Sequence, residues 1–193
     1  MAPHPMSAVP AAPDAGDGVP FQALTPTSTI GPALVYLLTR APEDAWRPYF
    51  GFLVLPVPGN PLRADPVLAT LWERHPFTGG LLRLPPDCCY TFHTDTRRGV
   101  AVNLLVHHTH SHTVFTDAAA LANAPGAPVV PATELVYAPD TYYLFNSQQP
   151  HAVWNGAGPR VLLSLEFAED RDALSYAQLC GECAQLGLVA IGP

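Results

Sequence analysis

The 193-residue sequence predicts a mainly β fold, a jelly roll or barrel of short strands with a few flanking helices. Three observations lead there. From Gly80 onward, strand-length runs recur between turn signals such as Pro-Asp and Asn-Gly pairs. The helix signals fall on either side of that region. The chain is 48% hydrophobic and only 13% charged, which implies a compact, apolar core in a single domain.

Residues 1–26 hold six prolines among many alanines and glycines and read as a flexible arm, leaving 27–193 as the folded domain. Leu34 to Leu38 is apolar and fits an early strand or a short helix. Phe50 to Leu55 reads as a strand stopped by Pro56. Asp65 as N-cap with Pro66 at the first helical position starts a helix that ends near His75, before Pro76. Strands follow at Leu81 to Leu84, Tyr90 to His93, Val100 to His107 and His112 to Thr116. Four more are read at Glu134 to Tyr137, Thr141 to Phe145, Ala152 to Trp154 and Arg160 to Phe167. Asn155-Gly156 sits between the last two as a hairpin turn would. Asp117 to Pro131, rich in Ala and Pro, is a loop that either covers a substrate site or is ordinary surface. Asp170 is the expected cap of a last helix reaching about Leu186, and Trp72 and Trp154 are expected at the core or its rim.

A net charge of -7 argues against a nucleic-acid phosphate surface. The chain has no lysine, which removes Schiff-base and P-loop lysine chemistry. Between Gly99 and Asp170 the only basic residue is Arg160, so any organic anion held by a cation in that half must use it. The first basic residue is Arg40 and no apolar run approaches a membrane span, so the expected location is cytoplasmic, with no membrane partner. The cysteines, Cys88-Cys89 and Cys180-Gly181-Glu182-Cys183, are expected as packed thiols, the second pair late in a helix.

The most informative run is His93-Thr94-Asp95, joined by His151 after Pro150. On a strand, residues two apart point to the same side, so His93 and Asp95 can converge on one ion. Two imidazoles and one carboxylate on one face of a ferrous ion leave its other positions open, as oxygen activation requires. Arg160, nine residues beyond His151, is placed to grip the far carboxylate of a dicarboxylic co-substrate. His-x-Asp alone is a weak signal. The cluster His107-His108-Thr109-His110-Ser111-His112 offers a rival metal site. The next Glu after it is Glu134, and a polar loop beside the substrate entrance is the favoured reading.

Taken in order, Pro86, His93-Thr94-Asp95, Arg98, Ala101-Val102-Asn103, Asn146-Ser147-Gln148-Gln149-Pro150-His151-Ala152-Val153-Trp154-Asn155 and Arg160-Val161-Leu162-Leu163-Ser164-Leu165-Glu166-Phe167 resemble the Fe(II)/2-oxoglutarate-dependent dioxygenases, among their small prolyl-hydroxylase-like and aspartyl/asparaginyl-hydroxylase-like members. The resemblance covers slightly under half of the chain. It implies a double-stranded β-helix, with His93, Asp95 and His151 as iron ligands and no further catalytic residue. It implies Arg160 on the distal carboxylate of 2-oxoglutarate, with Ser164, Tyr90 and Asn103 as further co-substrate contacts. The cofactors implied are Fe(II), 2-oxoglutarate and O2. The activity implied is hydroxylation of an unactivated C–H bond in a small molecule or amino acid, free or peptide-borne, with release of succinate and CO2. Related halogenases carry Gly or Ala in place of the carboxylate, so Asp95 points to oxidation instead. The alternative is a non-catalytic jelly-roll or cupin metal-binding or sensor protein, in which Arg160 and Ser164 have no anion to hold.

Overall fold

The computed structural model describes residues 19–123 and 129–189, and among these eleven strands form two antiparallel sheets. The larger sheet contains β1 (Phe21–Ala23), β2 (Arg47–Tyr49), β3 (Phe52–Val57), β4 (Phe77–Leu84), β6 (Val100–His107), β9 (Tyr142–Asn146) and β11 (Arg160–Phe167), in the order β1-β9-β6-β11-β4-β3-β2. The smaller holds β5 (Cys88–His93), β7 (Ser111–Phe115), β8 (Thr133–Leu135) and β10 (His151–Asn155), in the order β5-β10-β7-β8. The fold is a mainly β jelly roll.

β11, paired on both edges, shows how the sequence sorts its faces. Val161, Leu163, Leu165 and Phe167 join the main core, while Arg160, Leu162, Ser164 and Glu166 face a cavity between the sheets. This is the period-two alternation of a strand with two different sides. Helices α1 (Gly31–Arg40), α2 (Gly59–Ala64), α3 (Pro66–Arg74) and α5 (Tyr176–Gln185) cover the core side with Leu34, Leu62, Leu68, Leu71 and Leu179, all at most 1% exposed. Each such leucine contributes roughly 1.5–3 kcal/mol by leaving water. Asp65 caps α3 as expected, its Oδ1 accepting from the amides of Val67 and Leu68 at 3.0 and 3.2 Å. Its Oδ2 accepts from the Thr29 amide at 2.7 Å and so ties the approach of α1 to α3.

Several elements depart from expectation. Residues 1–18 lie outside the described residues, but Phe21–Ala23 pairs with β9, so ordered structure begins before Thr27. Leu34 to Leu38 takes the second of its two expected forms, a helix. β3 continues through Pro56; β2 covers only Phe52–Val54, so Pro56 falls where the strand has an open edge, the place that tolerates a missing N–H. Asn155-Gly156 is a crossover between sheets and not a hairpin, because β10 pairs with β5 and β7 whereas β11 pairs with β4 and β6. The Asn155 amide explains this, donating to the carbonyls of Pro85 and Gly158 at 2.6 and 2.8 Å. Asp170 closes a turn on Asp172 and Ala173, and α5 starts at Tyr176 with Ser175 as its cap. Trp154 is 47% exposed on the outer face of β10. Within Asp117 to Pro131, a short helix α4 (Ala118–Asn123) precedes residues 124–128, which lie outside the described residues. No helix among the described residues is long and apolar enough to cross a membrane.

Candidate metal centre

His93 and His151 are direct cross-strand partners on β5 and β10, with ring centroids 4.2 Å apart. The ladder is irregular immediately after His151, between it and Val153. A bulge there lets two neighbouring side chains turn toward one point instead of standing in parallel. Asp95 enters from the loop after β5. The three residues offer donor atoms that all lie within 4.8 Å of one another, and among the described residues theirs is the sole such group.

Both imidazoles are held the same way. His93 Nδ1 lies 2.8 Å from the Thr91 carbonyl, and His151 Nδ1 lies 2.9 Å from the Gln149 carbonyl. A carbonyl only accepts, so each Nδ1 carries the proton and each Nε2 is left as a lone pair for a metal. Burial pushes the His151 imidazole down to about 4, with neighbouring His93 acting in the same direction, so it is neutral at physiological pH. The carboxylate is held too. Arg98 donates to Asp95 Oδ2 from Nε at 3.0 Å, its Nη2 stands 2.8 Å from the same oxygen, and Nη1 reaches Ser164 Oγ at 3.2 Å.

The Asn146-to-His151 turn locks this geometry. Gln148 Nε2 donates to the carbonyls of Asp95 and Arg98 at 2.8 and 2.7 Å, and the Asp95 amide donates to the Ser147 carbonyl at 2.9 Å. Gln149 Nε2 donates to the Thr116 carbonyl at 2.7 Å. The two glutamines thus tie the loop of one ligand and the end of β7 to the turn that delivers His151.

The triad opens onto a cavity of about 370 Å³ that Arg160, Ser164, Tyr90 and Asn103 also line. The structure therefore brings every sequence-nominated site residue to one place. Arg160 is 1% exposed. Nη2 donates to Thr113 Oγ1 at 3.1 Å, the Tyr137 ring centroid lies 5.8 Å from its Cζ, and Nε has no partner. None of the ion pairs among the described residues includes it. Burial draws its pKa down. The Tyr137 hydroxyl and Asn103 Oδ1 are likewise buried without partners.

Arg160 and Asn103 stand in the motif series read from the sequence, whereas Tyr137 and Thr113 carried no functional signal. Glu166 was within reach: the spacing that puts Arg160 and Ser164 on one face puts Glu166 there as well. The histidine cluster makes no metal group. His112 pairs with Glu134 at 2.6 Å, and His108 and His110 lie in the β6–β7 loop. That loop adjoins Arg160, whose charge, after burial, lowers the His108 imidazole. Cys180 and Cys183 are free thiols inside α5.

No protein-family model matches the chain, and no curated protein matches it. Solved structures do. A prolyl-4-hydroxylase from Pseudomonas putida superposes with a TM-score of 0.55 at 14% identity, over 78% of this chain and 92% of the other. An oxidoreductase of the 2OG-Fe(II) oxygenase family from Burkholderia pseudomallei gives 0.51 at 14%, over 76% and 80%. The chain has the fold of the 2OG-Fe(II) oxygenases. HygX from Streptomyces hygroscopicus, solved with nickel and 2-oxoglutarate bound, shares this oxygenase fold at a TM-score of 0.50 and 14% identity, over 78% and 82%.

The residues present fit both groups. Two nitrogen donors and a carboxylate on one side suit Fe(II). A buried guanidinium with an unused N–H, flanked by two unpartnered polar atoms, suits a carboxylate supplied from outside the protein.

Proposed function

We propose that the protein is an Fe(II)- and 2-oxoglutarate-dependent oxygenase that hydroxylates an unactivated C–H bond of a small molecule or amino acid, free or peptide-borne. The observation that carries this is Arg160, a fully buried cation without an acidic partner, in the same cavity as the His93–Asp95–His151 group. A metal-binding sensor has no use for such a group, because burying an unpaired charge is costly. A dicarboxylate spanning the metal and Arg160 supplies the missing counter-charge.

In this reading His93 and His151 bind iron through Nε2 and Asp95 through the oxygen that Arg98 leaves free. Arg160 and Thr113 hold the distal carboxylate, with Tyr137 flanking it. Tyr90 and Asn103 face the remaining co-substrate oxygens, and Ser164 lies between that site and Arg98. Leu82, Phe145, Val153 and Leu162 give the cavity apolar walls. Bound iron, with 2-oxoglutarate and O2, supplies an oxidant able to take hydrogen from aliphatic carbon and return hydroxyl, leaving succinate and CO2.

Anaerobic titration of the protein with Fe(II) and then 2-oxoglutarate tests this. A weak visible charge-transfer band is expected in wild type, absent in His93→Ala and requiring more 2-oxoglutarate in Arg160→Ala. Iron binding with no such band would return the protein to the sensor reading.

A further inference from the structure

The inner face of β11 carries a second charge that the proposed chemistry does not use. Glu166 lies on the same face as Arg160, about 20 Å along the strand at ordinary rise, and lines the same cavity. It is half-buried and has no counter-charge. None of the ion pairs among the described residues includes it. The chain has no lysine, and all nine arginines fall among the described residues. Arg98, on neighbouring Ser164, is committed to Asp95. The hydrogen bond Glu166 does accept, from the Tyr49 hydroxyl, is long at 3.4 Å.

Aromatic residues line the cavity together with this carboxylate, and the Tyr49 hydroxyl reaches it. Tyr49 packs edge-on against Phe50, and Phe52 against Tyr90, both with centroids 4.9 Å apart. Tyr90 in turn meets the His93 ring at 4.2 Å. All four line the cavity. Phe50 is 74% exposed at the tip of the β2–β3 hairpin, and the Phe52–Tyr90 pair reaches the candidate metal ligand His93. The tip is a two-residue turn with φ of 45° at Phe50 and 87° at Gly51, the left-handed pair that joins tightly twisted strands.

A carboxylate beside aromatic faces suits an organic cation. The charge meets the carboxylate, and the polarised C–H groups next to nitrogen meet the rings. An anion is repelled there, and a neutral alcohol gains nothing from the charge. Arg97 also lines the cavity without an ion pair, but its side chain is exposed, where its field is screened. We infer that Glu166, Tyr49, Phe50 and Phe52 form an ammonium subsite at the cavity mouth, and that the substrate is an amine or amino acid docked there by its cationic nitrogen. The subsite stands on its own residues; that the docked molecule is then oxidised rests on the oxygenase reading.

The test uses three six-membered-ring probes of matched shape: piperidinium, cyclohexanol and cyclohexanecarboxylate. Each is titrated by saturation-transfer NMR into the protein, with and without Ni(II) and 2-oxoglutarate. Wild type is expected to bind piperidinium about tenfold more tightly than either other probe. Glu166→Gln should bring the three within about threefold of one another. Phe50→Ala, at an exposed turn position that carries no core packing, should weaken piperidinium alone. With Ni(II) and 2-oxoglutarate present to occupy Arg160, equal binding, a preference for the carboxylate, or an amine preference that survives Glu166→Gln overturns the subsite. Failure of 2-oxoglutarate to bind while the amine preference stands overturns the oxygenase reading instead.

Discussion

Arg98 and Arg160 line one cavity, and the protein's own atoms satisfy the first while leaving the second in need. Arg98 places Nε and Nη2 on Asp95 and Nη1 on Ser164. Arg160 has one hydroxyl acceptor, an aromatic face and an idle Nε. Arg98 is the more accessible of the two, at 20% against 1%, so exposure ranks them in the wrong order for binding an anion. What separates a positioning arginine from a binding one is its unspent donors. Burial then sets how strongly those donors call for an anion.

The largest expected effect breaks the comparison at Arg160. Arg160→Leu removes the anion grip and a charge the apoprotein leaves uncompensated. Affinity for 2-oxoglutarate should fall by roughly 30- to 4000-fold, the range for truncating one partner of a buried charge pair. Stability without co-substrate should hold or rise, because an apolar residue of similar volume replaces an unpaired buried cation. Thermal unfolding with Ni(II), with and without 2-oxoglutarate, reads both. Wild type gains stability from 2-oxoglutarate by mass action and the variant does not. A variant that is strongly destabilised on its own makes Arg160 a structural residue.

Arg98→Gln attacks the other side and should do less. Asp95 keeps its place through its backbone but loses the group that orients its carboxylate. Metal affinity, read by competition with a chromophoric chelator, should drop by about 10- to 100-fold, as for other outer-shell partners. With metal saturating, 2-oxoglutarate affinity should stay within about threefold, since the anion is held elsewhere. If 2-oxoglutarate binding collapses while metal affinity holds, Arg98 is the anion site and the comparison inverts.

How much of this was legible in the sequence depends on distance along the chain. Period-two alternation placed Arg160 and Ser164 on one face of β11, and the i, i+2 rule put His93 and Asp95 on one ion. Both are local rules: the first holds along β11, whereas β5 ends at His93 and it is the loop after it that brings the Asp95 carboxylate alongside. His151, read as the third ligand beside Pro150 and again in the resemblance, lies directly opposite His93 in the ladder. Tyr137 and Thr113 reach Arg160 from other strands, through pairing that no local pattern encodes. The Asn155-Gly156 turn was misread for a related reason. The dipeptide signals a turn but not which sheet the next strand joins, and the inward Asn155 amide decides that. The Asn146-to-His151 turn was read as a source of one ligand. Its two glutamines bind the loops on either side of the site, a role visible only once those loops have positions.

The histidines divide in the same way, by which of their nitrogens are already spent. His93 and His151 each spend one nitrogen on a carbonyl and keep one free. His75 spends both, Nδ1 on Glu169 at 3.0 Å and Nε2 on Glu182 at 2.8 Å, and so fastens the end of α3 to α5. Two acceptors require both nitrogens to be protonated, so the ring is a cation there. Burial works against that charge, but the hydrogen bonds and charges of the two glutamates outweigh it and raise the imidazole above its usual value. Its hydrogen bond to His75 is the main cause holding Glu182 below the usual range. A raised folded-state value means the His75 contribution is full below about pH 6.5 and is lost as pH rises through the higher folded value. Glu182 has the opposite sign, its contribution present above about pH 4.3 and lost on acidification. His75→Gln should therefore lower the melting temperature by about 2–4 °C near pH 6, the shift for about 1 kcal/mol in a chain of this size. The gap should narrow as the pH is raised, because wild type loses the ion pair that the variant never had. A gap that stays constant from mildly acidic to alkaline pH would show a neutral ring, and the clamp would then be hydrogen bonding without charge.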